Sequence, residues 1–341
     1  MSALGQAIEA PPQTAMLQMI YGFCVSRALC VAAELGIPDL LNGGAMSSEE
    51  LARATETHAP SLFRLLRALE SVGVFAKDDQ ERFALTPLGT VLRSDVPGSL
   101  RSFAIEVLGR NHYSAWGTLL HSIKTGEIAF NHVYGVGRWQ YNAEHPEEAE
   151  SFDQAMASAT SAVAAAILDA YDFYSCGTIV DVGGGDGSLL AAILKAYPQL
   201  RGVVADLPHA VAGAQRRLQT EGLMERCDVV PCDFFAAVPK GDTYLLKWII
   251  HDWDDQRSKM ILKNCCAAMA NGERVLVMEA VFRPGAATVF TKFLDLAMLV
   301  MTGGRERSEA EYRALLASAN LRLTRVIPTK SELSVIEAVR A

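Results

Sequence analysis

The sequence predicts an α/β protein, a doubly wound parallel sheet preceded by an α-helical winged-helix domain, and three observations carry that prediction. From residue 175 onward, short apolar runs alternate with helical patterns, the order that winds helices onto both faces of a parallel sheet. The first of these runs, TIVDVGGGDGSLL over Thr178–Leu190, reaches Asp181 and then breaks into Gly183, Gly184, Gly185, Asp186 and Gly187 before a helix starts at Ser188. Glycines there reach positive φ without strain and let the main chain touch a ligand, although such turns also occur with no ligand. In the first hundred residues, two helical segments are followed by two short extended pieces, which is the order of a winged helix.

A chain of 341 residues, half of them hydrophobic, exceeds one average domain and can bury a sizeable core, so two domains are expected. The formal net charge of -8, with no Lys/Arg-rich run, argues against a polyanionic partner. The first residues show neither a basic n-region nor an apolar h-region, and no uninterrupted apolar run approaches the ~18 residues of a membrane span. A soluble, cytoplasmic protein is expected. The seven cysteines form no C-x-x-C pair and no Cys/His framework, so they read as small buried residues and no metal is expected.

Residues 1–13, with Pro11 and Pro12, read as a disordered N-terminus. Over 14–100, the winged-helix domain starts with apolar positions Met16, Leu17, Ile20, Tyr21, Phe23 and Cys24 at helical spacing, continuing to Leu35 before Gly36 and Pro38. That surface is apolar around more of its circumference than a solvated helix needs, which fits a core position or a second subunit. Ser47 and Ser48 precede Glu49 and Glu50 at a helix start; a second helix carries Leu62, Leu66 and Leu69 and ends at Gly73. Extended pieces follow at Val74–Ala76 and Arg82–Leu85. A winged helix suggests DNA, but residues 1–100 hold 7 Lys/Arg against 11 Asp/Glu, and the recognition helix offers only Arg64 and Arg67. Phosphate neutralisation supplies most DNA affinity, so a dimerisation role is the expectation.

Residues 101–174 read as a helical linker rich in rings, including His112, Trp116, Trp139 and Phe152, with a long helix over Pro146–Asp172 that puts Phe152 and Met156 on one face. That concentration suits an apolar, ring-shaped ligand as well as a plain core. In the cofactor-binding domain, 175–341, strands are expected at Thr178–Val182, Arg201–Asp206, Asp228–Cys232, Thr243–Lys247, Glu273–Glu279, Leu321–Ile327 and Ser334–Ala338.

Ligands of open α/β sheets sit outside the carboxyl ends of the strands, so the residues there carry the chemistry. Asp181 precedes Gly183 and Gly185, but the third glycine of a G-x-G-x-x-G pattern is Ser188 here. Asp206, 19 residues past Gly187, can accept hydrogen bonds from a ribose diol, as both nicotinamide and adenosyl cofactors require. The missing diphosphate-type glycine favours an adenosyl sulfonium. Asp233 and Phe234 at the next strand end suit an adenine amino group and ring face. His251, four residues past Lys247, can take a proton from a phenol, and Glu279 or Glu306 can fix its other ring nitrogen. Asp252, Asp254 and Asp255 form an acidic cluster that could suggest a metal site, but the main reading is that Asp254 or Asp255 caps the helix that begins there.

The chain resembles the small-molecule O-methyltransferases that use S-adenosylmethionine, such as caffeate and hydroxyindole O-methyltransferases and bacterial natural-product relatives. The resemblance runs from about residue 14 to 341 through DVGGGDG (181–187), ADLPH (205–209), CDFF (232–235), LKWIIHDWDD (246–255), MEAVFRPG (278–285) and GGRERSEAEY (303–312). It implies a Rossmann-like class I methyltransferase domain and an intertwined homodimer through the N-terminal domain. It also implies cofactor contacts from Asp181, Gly183, Gly185, Asp206, Leu207, Asp233, Phe234, Lys247 and Trp253. His251 would be the general base flanked by Glu279 and Glu306, and Trp116, Phe152, Met156, Met298 and Asp252 would line an aromatic acceptor site. Plant phenolic members carry an asparagine before the GG; LVMTGGRER is one residue shorter and lacks it, so the acceptor is not carried over. Carbon or nitrogen methylation, a nicotinamide oxidoreductase and a DNA-binding regulator stand as alternatives.

Overall fold

The structure, a computed structural model, describes residues 11–269, 272–283 and 288–341, with the backbone only at His209. The chain forms two compact units that divide between Arg110 and Asn111. The disordered stretch expected over 1–13 lies outside the described residues as far as residue 10, and Pro12 and Gln13 are already helical.

The first unit runs α1 (Pro12–Glu34), α2 (Ile37–Leu40), α3 (Ser48–Ala54), α4 (Ala59–Glu70), β1 (Phe75–Lys77), β2 (Phe83–Leu85), α5 (Pro87–Thr90) and α6 (Arg101–Val107). Helix α3 starts where it does because Ser47 Oγ accepts the Glu50 N–H at 3.2 Å while the Glu50 carboxylate accepts the Ser47 N–H at 2.8 Å. Strands β1 and β2 form the antiparallel wing, and Met46 bridges Phe83 beside them. Leu51, Leu62, Leu66, Leu69, Phe75 and Phe83 close the core of this unit.

Helix α1 departs from the sequence reading. Gln18, Ser26 and Arg27 interrupt its apolar residues, so no unbroken run shows in the sequence, yet by length and composition this helix could cross a membrane. Its face Met16, Leu17, Met19, Ile20, Tyr21 and Phe23 is 54–62 % exposed, whereas Cys30, Ala32 and Ala33 are buried. Arg27 ties the helix down by donating to the Leu108 carbonyl.

The second unit opens with five helices, α7 (Arg110–Gly117), α8 (Leu119–Thr125), α9 (Ala129–Tyr134), α10 (Arg138–Glu144) and the long α11 (Pro146–Ala170). Next come β3 (Thr178–Val182), α12 (Ser188–Ala196), β4 (Arg201–Asp206), α13 (Pro208–Thr220), β5 (Cys227–Pro231) and β6 (Thr243–Lys247). The chain ends with α14 (Asp255–Ala268), β7 (Arg274–Glu279), β8 (Val281–Phe282), α15 (Val289–Met301), β9 (Arg307–Ser308), α16 (Glu309–Ser318), β10 (Leu321–Pro328) and β11 (Ser334–Arg340).

Seven strands form one sheet in the order β10-β11-β7-β6-β3-β4-β5. Five of them, β3 to β7, are parallel, but β11 runs antiparallel to both β7 and β10, so the sheet is mixed rather than wholly parallel. The short connection over 329–333 brings β11 back antiparallel to β10. Alternate residues separate the faces: Val180, Tyr244, Leu246 and Val277 pack with α14 and α16, while Ile179, Leu245 and Leu276 pack with α11, α12 and α13. Asp181 therefore falls on the α12 side. The strand order reverses between β3 and β6, and a crevice outside their carboxyl ends is where such sheets bind ligands.

Candidate functional site

After β3 the glycine turn makes an open cradle. Gly183, Gly185 and Gly187 hold φ of +69°, +57° and +73°. A Cβ on Gly183 would lie 2.5 Å from Ile249 Cδ1, so this turn touches the loop after β6 and has no space for a side chain. At Gly185 an added Cβ would meet nothing within 4 Å; here glycine serves the backbone angle and leaves main chain facing open space. The Gly185 N–H donates to Asp206 Oδ2 at 2.7 Å and the Leu207 N–H to Asp206 Oδ1 at 2.6 Å, which fixes that carboxylate at the end of β4. Leu207 leaves its side chain largely outside. Asp233 caps its own turn through the Phe235 N–H at 2.9 Å, and Asn264 Nδ2 donates to the Phe234 and Phe235 carbonyls, each at 2.9 Å. The Phe234 ring lies 3.5 Å from the Cβ position of Gly183, at the cradle.

Asp181 lies beneath this loop rather than on its open side. It is 3 % exposed, its Oδ2 has no hydrogen-bond partner, and a Cβ on Gly184 would lie 2.8 Å from its Cγ. Burial raises its pKa against the opposing pull of the Lys247 ammonium, and burial lowers that of Lys247. The Lys247 ammonium sits 4.0 Å from the centroid of the Trp248 ring. Trp248 itself adopts φ +55°, and the strained turn sends the chain from β6 into a short 3-10 turn, Ile250–Asp252.

That turn carries His251, which is 5 % exposed. Its Nδ1 meets Glu306 Oε1 at 2.6 Å, and its Nε2 has Asp252 Oδ1 at 4.0 Å. Burial disfavours the imidazolium, but the Glu306 charge and hydrogen bond, with Asp252 and Glu279 behind them, outweigh it and raise the pKa to about 10. Burial likewise lifts Asp252 to about 7, against the pull of His251. Glu279 is close but does not touch the ring. Its Oε1 accepts the N–H groups of Ile249 (3.1 Å) and His251 (3.0 Å), and its Oε2 accepts from the Tyr312 hydroxyl. Thus Glu306 holds the imidazole, and Glu279 holds the backbone that presents it. Asp254 caps α14 through the Arg257 N–H at 2.8 Å, as expected.

On the other side, rings join the two halves of the site. Phe152 packs edge-on against Trp139 at 5.5 Å, Trp139 lies 6.0 Å from Trp253, and Trp253 meets Phe235 at 4.8 Å and Phe234 at 6.3 Å. Trp253, read as a cofactor contact, is thus largely enclosed between the Trp139 side and the Phe234 loop. Trp116 packs with Phe130, Val300 and Met301 in a neighbouring cluster, while Met156 on α11 and Met298 on α15 are half-buried. The sequence missed Tyr312, Asn264 and Asp295, whose Oδ1 accepts the Glu306 N–H at 2.9 Å. Tyr312 ends the GGRERSEAEY segment but was given no role there, while Asn264 and Asp295 lie in none of the quoted motifs; Asp295, three residues before Met298, could have been found by helical spacing. Among the described residues no group of three or more His, Cys, Asp or Glu is placed to hold one metal ion.

Two family models match the chain: an O-methyltransferase dimerisation domain over residues 17–95 and an O-methyltransferase domain over 116–322. A phenazine O-methyltransferase of Lysobacter antibioticus is 44% identical over 99% of both chains. The solved structure of a mitomycin 7-O-methyltransferase superimposes with a TM-score of 0.90, at 38% identity over 98% of this chain and 100% of that one. An O-methyltransferase from neocarzinostatin biosynthesis, solved with S-adenosylmethionine and 2-hydroxy-5-methyl naphthoic acid, gives 0.80 at 38% identity, over 93% of this chain and 96% of that one.

Proposed function

The chain belongs to the O-methyltransferase family, as an S-adenosylmethionine-dependent enzyme of the bacterial natural-product type, and on that premise we propose that it methylates a hydroxyl of an aromatic small molecule with His251 as general base. The observation that carries this reading is the buried pair of Glu306 with His251, which stands on the loop after β6 whose Ile249 touches the glycine turn of β3. Glu306 takes the Nδ1 side of the ring, which leaves Nε2 to receive the acceptor's proton.

The residues present fit the cofactor. Bare backbone at Gly185, a carboxylate at Asp206 fixed by two amides and the Phe234 ring against Gly183 are what a nucleoside with a polar tail requires. In our reading Gly183, Gly185, Asp206 and Leu207 hold its ribose and methionine parts, Asp233 and Phe234 its adenine, with Asp181, Lys247 and Trp253 supporting these from behind. The bound cofactor supplies a methyl group on a sulfonium that departs as a neutral thioether, so no acid is needed for the leaving group. Trp116, Phe152, Met156, Met298 and Asp252 orient the acceptor ring; positioning of that kind supplies most of the acceleration. Residues 101–174 form the acceptor-lining region between dimerisation and catalytic domains.

Asp206→Ala is expected to raise the cofactor Kd by about 10–100-fold, because charge-assisted hydrogen bonds contribute roughly 1.5–3 kcal/mol. Calorimetry with S-adenosylhomocysteine measures it, and an unchanged Kd would remove Asp206 from the site. The hydroxyl itself is tested with methyl-labelled cofactor and a panel of hydroxylated and aminated naphthoates, phenazines, indoles and quinones. Transfer only to nitrogen or carbon would sink the oxygen assignment.

We place the exposed face of α1 against a second copy of the chain, in a cytoplasmic homodimer without nucleic-acid or membrane partners; the acidic balance of residues 1–100 favours this. Charging that face with Ile20→Glu and Phe23→Glu should give a monomer in sedimentation velocity, since unpaired charges are costly in a desolvated interface. A double variant that remains dimeric would displace α1 from the contact.

A further inference from the structure

We propose that Arg307 is a positioning residue for methyl transfer, clasping the turn that carries His251 so that the imidazole keeps its contact with Glu306. The proposal rests on the reading of His251 as the base.

Arginine is rarely buried, yet Arg307 is 0 % exposed, and each of its three side-chain nitrogens donates into residues 250–258 around His251. Nη1 donates to the Ile250 carbonyl at 3.1 Å and to the Arg305 carbonyl at 3.4 Å. Nη2 donates to the Trp253 carbonyl at 2.8 Å, to Asp255 Oδ1 at 2.9 Å and to Ser258 Oγ at 3.3 Å, while Nε donates to the same Asp255 oxygen at 3.0 Å. Ile250 and Trp253 bracket His251 in the chain, so the guanidinium fixes the turn on both sides of the base. A planar fork with five donors is suited to this, and a lysine would satisfy fewer of the acceptors.

The neighbours of Arg307 complete the clasp. The Arg305 N–H donates to the His251 carbonyl at 2.8 Å, and Arg305 Nη2 reaches Asp255 Oδ2 at 2.9 Å. Glu306, between them, delivers its carboxylate to His251 Nδ1. Ser258 Oγ adds bonds to the same two carbonyls, Ile250 at 3.1 Å and Trp253 at 3.2 Å. The whole segment is aligned by the parallel pairing of β8 with β9, Val281 with Arg307, which anchors it to the end of β7 where Glu279 lies. Three consecutive residues therefore set the position of one imidazole, and Arg307 supplies most of the bonds. The charge it buries is balanced by Asp255, a carboxylate that is itself half-exposed.

A double-mutant cycle tests this. Arg307→Gln should lower kcat by about 100-fold, the scale of a 1 Å misplacement at a reacting centre, with the Kd for S-adenosylhomocysteine within about 3-fold of wild type. In a His251→Ala background the same change should cost less than about 2-fold, because residues that act as one unit are non-additive. Equal losses in both backgrounds, or no loss in either, overturn the positioning role. Near-normal turnover of His251→Ala alone overturns the base reading and the clasp with it, so the two failures are distinguishable. Should Arg307→Gln not fold, Asp255→Asn weakens the clasp from its solvent side. That variant should lower kcat about 3–10-fold, the scale of one ordinary hydrogen bond, as suits a half-exposed carboxylate, and only when His251 is present. A loss that persists without His251, or no loss, counts against the proposal.

Discussion

Replacing His251 by alanine is expected to lower kcat by about 10²–10⁴-fold, the contribution of a positioned general base, while the Kd for S-adenosylhomocysteine stays close to wild type. The separation follows from the geometry: His251 touches Glu306 and lies near Asp252, whereas the cradle is built from Gly183, Gly185, Asp206 and Phe234. Turnover within a few-fold of wild type would end the base assignment. The pH dependence adds a second reading of the same group. Its pKa is raised to about 10 from an ordinary 6.5, so at neutral pH the imidazole holds its proton and the neutral fraction grows about tenfold per pH unit until pH 10. For an acceptor that is an ordinary phenol, kcat/KM should therefore climb from pH 7 toward 10. An acceptor acidic enough to enter as its anion pairs with the imidazolium, and its profile should be flat over the same range. In the alanine variant the imidazole contribution should be gone, so that turnover of an ordinary phenol is much lower and rises only with the phenol's own ionisation. The alanine leaves a cavity among buried carboxylates, so a thermal melt belongs beside the kinetics.

The parts of this fold that were legible in the sequence are those in which neighbouring residues determine one another. The strands at Thr178–Val182, Arg201–Asp206 and Thr243–Lys247 fall on the expected residues because each is a short apolar run that breaks into turn or loop residues. The helix start at Ser47 and Ser48 and a cap at Asp254 or Asp255 were likewise readable, and the structure satisfies nearby amides through Ser47 and Asp254. The direction of β11 was not, because an apolar run does not record which way it pairs. Nor was the membrane-like length of α1, since Gln18, Ser26 and Arg27 hid it from a search for unbroken runs.

The same limit applies to the site. His251 and Glu306 lie in recognisable segments, but that one carboxylate meets the ring while Glu279 meets the backbone depends on contacts 55 and 28 residues apart. Tyr312 and Asn264 act across 33 and 30 residues, and Asp295 across 11. Arg307 is hidden for a further reason. Composition rules place arginine at the surface, and only the three-dimensional arrangement shows carbonyls enough to satisfy it inside.

Gly304→Ala is expected to come near the His251 replacement in its effect, although it adds a single methyl group and touches no ligand. A Cβ at this position would lie 1.9 Å from the His251 carbonyl oxygen, 2.4 Å from the Asp252 carbonyl carbon and 2.7 Å from the Trp253 nitrogen. All three are main-chain atoms, so no side chain can rotate away, and one of the two loops must move by an ångström or more. Gly304 does not occupy the left-handed region, so the backbone angle of this residue is open to alanine and the cost is steric alone. Overpacking of this kind costs about 1–3 kcal/mol in stability. A kinetic penalty comes with it, because displacing the loop separates Glu306 from His251 Nδ1, and a 1 Å misplacement costs about 10²-fold in rate. Three measurements define the expected variant: folded in a melt, Kd for S-adenosylhomocysteine near wild type, and kcat down about 100-fold or more. A Gly304→Ala enzyme with wild-type turnover would mean that the loop slides without moving the imidazole. The rigid seating of His251 between residues 303–307 and the end of β7 would then have to be abandoned.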